Sequence, residues 1–488
     1  MQFPIPTEAN DVLGALKKAG FDAYLVGGCV RDLLIGRPPK DWDITTNAKP
    51  EEITAIFGED SFYNNDFGTV GVTRETEDES LKVIEVTPYR SEEGYSDSRR
   101  PDTVKFGVSL HDDLARRDFT VNAIAYDPSK GHVEDPYEGQ KDITYKVLRT
   151  VGDPNERFSE DALRMMRAIR LSAELNFAID GDTATAIAKN AQNLEKISKE
   201  RIRDEFVRIL NSDEPMMAIV MCQKLGLLPY IAPDLERGVG VEQNQAHAYD
   251  VFEHLIRTMQ HAADKKWSFD IRLAGLFHDI SKPETRRWSK EKQDYTFHGH
   301  EVVGARVTKK ALEDLKFPKK TIEKVVKLIR WHMFFSDPDK VTLSAVRRII
   351  RNVGEENVWD LLNLRICDRV GTGRPKEQPF RFRKYKSFVE EALRDPISVQ
   401  MLAIDGKDLM DVLHVQPGPK IGHILHALLE EVLDDPGKND RETLLQRAKE
   451  LMELPMEDIK HIGEEGRRRI EQEEAQAVEN LRKKYHVS

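Results

Sequence analysis

Two periods of apolar residue alternate along the first ninety positions of the chain. In residues 7–20 Val12, Leu13 and Leu16 recur at helical spacing with Lys17 and Lys18 opposite, predicting an amphipathic helix that covers a sheet. Tyr24-Leu25-Val26 then predicts a short strand, Gly27-Gly28 a tight turn, and residues 30–35 the following helix. After a second turn at residues 36–39, Asp41-Trp42-Asp43-Ile44 reads as the start of another strand. Residues two apart on a strand share a face, so Asp41 and Asp43 project together while Trp42 turns into packing. Residues 50–57 read as a helix and residues 70–72 and 81–89 as strands, the last with Val83, Glu85 and Thr87 on one face. Residues 90–106 are polar without an apolar period, a loop long enough to be functional or disordered.

Helical periodicity dominates after residue 147. Asp153-Pro154 and Ser159 suit a helix start, and beyond them Glu160, Asp161, Arg164 and Arg167 fall within an arc of roughly 120°, at about 100° per residue. Leu163, Met166 and Ile169 turn elsewhere. Such a stripe is equally a solvated face whose i,i+4 pairs, Glu160 to Arg164 among them, contribute only about 0.3–0.5 kcal/mol each. A helix over residues 199–210 breaks at residues 213–215, another reaches Leu228-Pro229, and residues 234–245, with Gly238 and Gly240, read as a linker.

At 488 residues the chain has room for three or four domains. It contains no apolar run of the roughly 20 residues that cross a bilayer, and its start lacks a signal peptide's basic and apolar regions, so a cytoplasmic protein without membrane contact is expected. Three scattered cysteines make neither a disulfide framework nor a zinc knuckle; Cys29 is a small filler in the glycine turn. A net charge of −11 argues against nucleic acid unless the basic clusters Arg99-Arg100, Arg116-Arg117, Arg164/Arg167/Arg170 and residues 381–384 line one groove.

The chemistry concentrates in the first stretch. Glycines without side chains let phosphates approach the backbone, and the N–H groups and positive end of the following helix favour an anion. Asp41 and Asp43 can share two divalent ions roughly 3.5–4 Å apart, the arrangement used for in-line displacement at phosphorus. Glu85 is the candidate third carboxylate, or an exposed strand glutamate. Arg117, Asp118 and Asn122 bring together a guanidinium for phosphate oxygens and polar groups for ribose hydroxyls.

Gly27-Gly28, Arg31-Asp32, Asp41-x-Asp43, the RRDFTxNA run (residues 116–123) and Glu160-Asp161-x-x-Arg164 together resemble the nucleotidyltransferase superfamily of DNA polymerase beta. The resemblance is to the bacterial branch of tRNA CCA-adding enzymes and poly(A) polymerases. It implies that Asp41 and Asp43, with Glu85, hold Mg²⁺, and that Gly27, Gly28, Arg31, Asp32, Arg117, Asp118, Asn122, Glu160, Asp161, Arg164 and Arg167 bind nucleotide. In that family Asp161 and Arg164 would read the base edge of CTP or ATP in place of a template strand. Arg offers donors to cytosine O2 and N3, and Asp accepts from the N4 amine. The loop after Arg90, with Arg99 and Arg100, would assist the change from C to A addition.

A second constellation spans His254, His278-Asp279, His298-Gly-His300-Glu301, His332 and Asp368 on helical segments, a pattern for one or two divalent metals. It resembles the HD phosphohydrolase superfamily, which implies Mn, Ni, Fe, Zn or Mg bound by His254, His278, Asp279, His300, His332 and Asp368. Arg381, Arg383 and Lys384, interleaved with Phe382 and Tyr385, either stack on RNA or start a helix. The last segments resemble the tail of the same bacterial enzymes, which implies a tRNA-binding end; residues 457–488 read as a charged, exposed helix.

The expected fold is therefore α+β. A small mixed-sheet nucleotidyltransferase head (1–146) precedes an all-α neck (147–240), an HD-type domain (241–375) and a helical tail (376–488). The expected function is addition of the tRNA 3′-terminal CCA from CTP and ATP, by a monomer or homodimer. A-only addition, poly(A) synthesis and an HD-type phosphohydrolase with a nucleotide-binding head are the alternatives. Poly(A) synthesis fits less well, because residues 58–72 contain no Lys or Arg where those polymerases carry a basic signature.

Overall fold

The strand-forming segments before residue 135 assemble into one seven-stranded mixed sheet. The computed structural model describes residues 2–63, 68–93, 103–334, 341–374 and 376–462. Its strands are β1 (Ala23–Val26), β2 (Asp43–Thr46), β3 (Ser61–Tyr63), β4 (Val70–Thr73), β5 (Val83–Pro88), β6 (Arg90–Glu93), β7 (Thr103–Phe106), β8 (Ala125–Asp127) and β9 (His132–Glu134). The sheet order is β3-β4-β5-β2-β1-β8-β9, while β6 and β7 form a separate antiparallel hairpin. Within the large sheet β2 and β5 run parallel and the other neighbours antiparallel.

The period-2 pattern divides the sheet into two faces. Leu25, Ile44, Val70, Val72, Ile84 and Val86 are buried in one core with Val12, Leu13 and Leu16 of the helix Thr7–Lys18 and Ile53 of Pro50–Phe57. The opposite face carries Asp43, Thr45, Glu85 and Thr87, and the parallel register sets Glu85 beside Asp43.

Several expectations are corrected. The second strand begins at Asp43 and Asp41 lies in the bend before it, because the ladder to β1 starts only at Ile44, where β1 approaches its end at the glycine turn. The helix after that turn is Gly28–Ile35, so Gly27 alone, at φ 80°, reverses the chain. The polar stretch after Arg90 is a hairpin at both ends, invisible to pattern because its strands are only four residues long and β6 (Arg-Ser-Glu-Glu) is wholly polar, leaving Val104 and Phe106 of β7 as its sole alternating apolar pair; Arg99 and Arg100 lie outside the described residues. Strands β3 and β9 are edge strands of three residues each, too short for a period-2 pattern to show. The acidic-arginine motif does not lie on one continuous helix. Helix Pro154–Glu160 ends at Asp161, which is extended (φ −142°, ψ 103°), and a second helix spans Leu163–Leu175. Asp153 caps the first helix, whereas the Ser159 hydroxyl donates inside it to the Asn155 carbonyl.

The chain divides into two compact units, Met1–Pro233 and Asp234–Ser488. The described elements of the second are helical apart from the hairpin Arg287–Ser289/Asp294–Thr296. Helices Val251–Asp264, Phe269–Phe277, His300–Asp314, Lys319–Trp331 and Glu355–Gly371 carry or adjoin the histidine motif. In helix Phe380–Ala392, Phe382 and Tyr385 are buried, so of the two readings of this run the start of a helix is the one observed. Arg381 and Arg383 are exposed, and the Lys384 ammonium lies 5.9 Å from the Phe388 ring centre. Residues 463–488, which include most of the expected charged terminal helix, lie outside the described residues. No helix among the described residues is long and apolar enough to cross a membrane.

Candidate active site

Three carboxylates meet where β2 begins, beside the glycine turn at the end of β1. A Cβ placed on Gly27 would stand 3.7 Å from Asp43 Oδ2 and 3.1 Å from an Arg117 Nη; one on Gly28 would stand 3.8 Å from Asp41 Oδ1. A side chain at Gly27 would therefore meet Arg117, and its positive φ further disfavours any residue but glycine. Burial, then Asp41 and then Glu85 push the Asp43 carboxyl up to about 7, with Arg117 offsetting part of the rise. A buried carboxyl raised by desolvation with two further acids beside it fits a divalent cation, which its oxygens hold without a proton. Cys29 below them is fully buried, its thiol pushed up to about 12 chiefly by that burial, so it is a packing residue.

A chain of polar contacts extends from this turn to the neck helix. Arg31 donates to Asp32 (2.9 Å) and to the Asn122 amide oxygen (2.8 Å). Asn122 in turn donates to Asp118 (3.2 Å), which pairs with Arg167 (2.8 Å). Burial works to raise the Asp118 pKa, but Arg167 and Arg164 outweigh it and hold the carboxylate low. Glu160 takes Arg164 at 2.5 Å and Arg157 at 2.5 Å, while Arg164 also donates to the carbonyls of Arg157 and Arg116. Six of the expected nucleotide residues, Arg31, Asp32, Arg117, Asp118, Asn122 and Arg167, thus lie in or beside one network around the carboxylates, and Arg164 joins it through its charge on Asp118.

Two residues missed in the sequence complete this region. Asp113, fully buried, accepts from Arg116 (2.7 Å), Arg117 (3.3 Å) and the Thr45 hydroxyl (3.1 Å), tying β2 to the arginines. Arg201 grips Asp161 with two bonds, of 3.2 and 2.7 Å. The signal for Asp113 was the acid pair Asp112-Asp113 one turn before Arg116-Arg117; nothing local pointed from Arg201 to a residue forty positions away.

The second unit gathers all six expected ligands into two groups that share Asp279. Asp279 Oδ2 lies 3.1 Å from His254 Nε2 and 3.2 Å from His278 Nε2, and Asp368 Oδ1 is 3.5 and 3.7 Å from the same nitrogens. The other Asp279 oxygen, Oδ1, lies 3.1 Å from His300 and 3.6 Å from His332. The Nδ1 atoms of His278, His300 and His332 face backbone carbonyls at 2.9, 2.6 and 2.7 Å, which aims each Nε2 at the centre. Facing imidazole nitrogens at 3.0 Å (His254–His278) and 3.3 Å (His300–His332) require a proton or cation between them. Against the opposing effect of burial, Asp279 and Asp368 push His278 up to about 10. This donor set fits one or two divalent metals. Lys282, unnoticed as a site residue although it stands in the same motif, is buried and reaches Asp279 Oδ2 (2.6 Å) and Gln243 (2.6 Å).

Comparison with known proteins decides the family. The chain matches the poly A polymerase head domain over residues 23–149, the probable RNA and SrmB-binding site of polymerase A over 176–238, and the HD domain over 251–369. It is 32% identical to a CCA-adding enzyme of Ligilactobacillus salivarius across 92% of this chain and 98% of that protein. A CCA-adding enzyme of Enterococcus faecalis is 33% identical, across 91% and 95%. The chain belongs to the CCA-adding enzyme family. Its fold is similar to that of the Bacillus stearothermophilus CCA-adding enzyme in complex with CTP, with TM-score 0.66, 29% identity, and 91% and 96% of the two chains covered. A Thermotoga maritima CCA-adding enzyme complexed with tRNA shares the fold at TM-score 0.53 and 19% identity, across 91% and 94%. Membership makes the protein a tRNA nucleotidyltransferase, and the α+β architecture agrees with the family's.

Proposed function

We propose that this enzyme completes the CCA terminus of tRNA from CTP and ATP in the cytoplasm, with head, neck, HD-type and tail regions dividing near residues 146, 240 and 375. The observation that carries it is the meeting of Asp41, Asp43 and Glu85 with the Gly27 turn and the Arg117–Asp118–Asn122 network in one unit. Asp41, Asp43 and Glu85 would hold Mg²⁺, which when bound lowers the pKa of the RNA 3′-hydroxyl and neutralises departing pyrophosphate. Arg117 and the start of helix Gly28–Ile35 take the triphosphate; Asp118 and Asn122, already fixed by Arg167 and Arg31, face the ribose. Asp161 and Arg164 read the base. A carboxylate has about four acceptor positions; Arg201 takes two of Asp161's and the Leu163 N–H one, leaving one for an exocyclic amine.

The reading is tested with tRNAs lacking CCA, ending in CC, or complete, each supplied with CTP, ATP or both. Incorporation of CC and then one A supports it. A alone on the CC-ended substrate supports A-only addition, and long A tails support poly(A) synthesis. The Asp279 cluster favours a second activity, metal-dependent hydrolysis of phosphate esters, which Asp279→Ala should abolish if phosphate release is seen.

A further inference from the structure

The row of residues that carries the catalytic carboxylates continues across the sheet to an exposed aromatic ring. Asp43 is in register with Glu85, Glu85 with Gly71, and Gly71 with Phe62 on the edge strand β3. Residues paired in register share a face, so Phe62 stands on the carboxylate face, opposite the core formed by Ile44, Val70, Val72, Ile84 and Val86. Gly71 leaves the space between open. The Phe62 ring leans into it, its Cζ 2.5 Å from where a Cβ on residue 71 would stand. The ring thus lies over the strand next to Glu85 and is still 42% exposed.

In-line displacement at phosphorus places the attacking oxygen and the leaving pyrophosphate on opposite sides of the reacting phosphate. The glycine turn and Arg117 lie on the β1 side of Asp43, and Glu85, Gly71 and Phe62 on its other side. With the triphosphate on the β1 side, the acceptor's 3′-hydroxyl arrives over Glu85.

We propose that Phe62, seated over Gly71, is the stacking platform for the terminal base of the acceptor RNA. The proposal rests on the nucleotidyl-transfer reading above. Its ligand is a single-stranded RNA 3′ end of any sequence, since every base offers a π face. Gly71 serves the same end, because any side chain there would lift the ring away from Glu85.

The test uses the full chain, a tRNA lacking CCA, and the substitutions Phe62→Ala, Phe62→Leu and Phe62→Tyr. Loss of one base–aromatic stack should raise the KM for tRNA roughly tenfold or more in Phe62→Ala. Phe62→Leu, which keeps apolar cover over Gly71 without a π face, should behave like Phe62→Ala, Phe62→Tyr should restore wild-type behaviour, and the KM for CTP should stay put. A tRNA carrying 2-aminopurine as its last base should lose fluorescence on binding wild type and Phe62→Tyr but not Phe62→Leu. Wild-type tRNA KM and unchanged quenching in Phe62→Leu overturn the platform; so does a parallel rise in both KM values with a fall in Tm. Failure of the wild type to extend any tRNA overturns the transfer reading itself.

Discussion

Asp43→Asn should stabilise the metal-free protein while abolishing transfer. In the folded chain burial and the neighbouring Asp41 and Glu85 raise the Asp43 carboxyl from 3.8 to about 7. A raised acid contributes its full stability below its unfolded value, and that contribution is lost as pH rises through the folded value. Burying Asp43 beside two acids thus costs the folded state about 4 kcal/mol at pH 8, where it is ionised, and about 2 kcal/mol at pH 5, where it must take up a proton on folding, since each tenfold change in proton affinity is worth about 1.36 kcal/mol. Asparagine, which cannot ionise, removes this cost. Urea unfolding in chelator should therefore show the variant more stable than wild type, by more at pH 8 than at pH 5. Mg²⁺ should stabilise the wild type at pH 8 and the variant less, because binding to the native state alone shifts the equilibrium by mass action. A variant no more stable at pH 8, or a gain that does not shrink on acidification, would refute the idea that burial and its acidic neighbours hold Asp43 in a strained state that a cation relieves.

Asp113→Asn should act oppositely, leaving Arg116 and Arg117 without their shared buried carboxylate. A cost of about 3 kcal/mol follows, or roughly 6–12 °C in the melting of that unit. Burial would raise the Asp113 pKa, but Arg117 and Arg116 outweigh it and hold the group low. The deficit should therefore be complete at neutral pH and fade below about pH 4, and melting curves across that range decide it. Arg164→Ala should relax the choice among nucleoside triphosphates more than it slows transfer, and unchanged selectivity in competition assays contradicts the base-reading role. Arg201→Ala frees Asp161 from its two bonds and should also blur selectivity, with the KM for tRNA unaffected. Asp279→Ala removes the carboxylate common to both histidine groups; elemental analysis of wild type and variant should show divalent metal in the former and its loss in the latter, while tRNA extension persists.

The chemistry of both sites was legible in the sequence because motifs of short span fix side chains relative to one another through local geometry. Gly27, Asp41 and Asp43 lie within one strand-turn-helix-strand segment, and His278-Asp279 are adjacent. Glu85 was placed from the period-2 pattern of its strand, and β5 does present Val83, Glu85 and Thr87 on its exposed side. The helix break at Asp161 was not legible. Local propensity favours a continuous helix there, and only the pull of Arg201, forty residues on, together with the Leu163 N–H, holds Asp161 extended. Propensity sums over neighbours along the chain and takes no account of such a partner.

Residue order determined which donors this protein owns and that two metal chemistries are present. Tertiary structure decided what stands beside them. The parallel pairing of β2 with β5 sets Glu85 against Asp43, buried Asp113 binds Arg117 to the strand that carries Asp43, and the edge strand brings Phe62 over Gly71. Register and burial are properties of pairings between distant segments, fixed by how the whole core closes, and no window of sequence contains them.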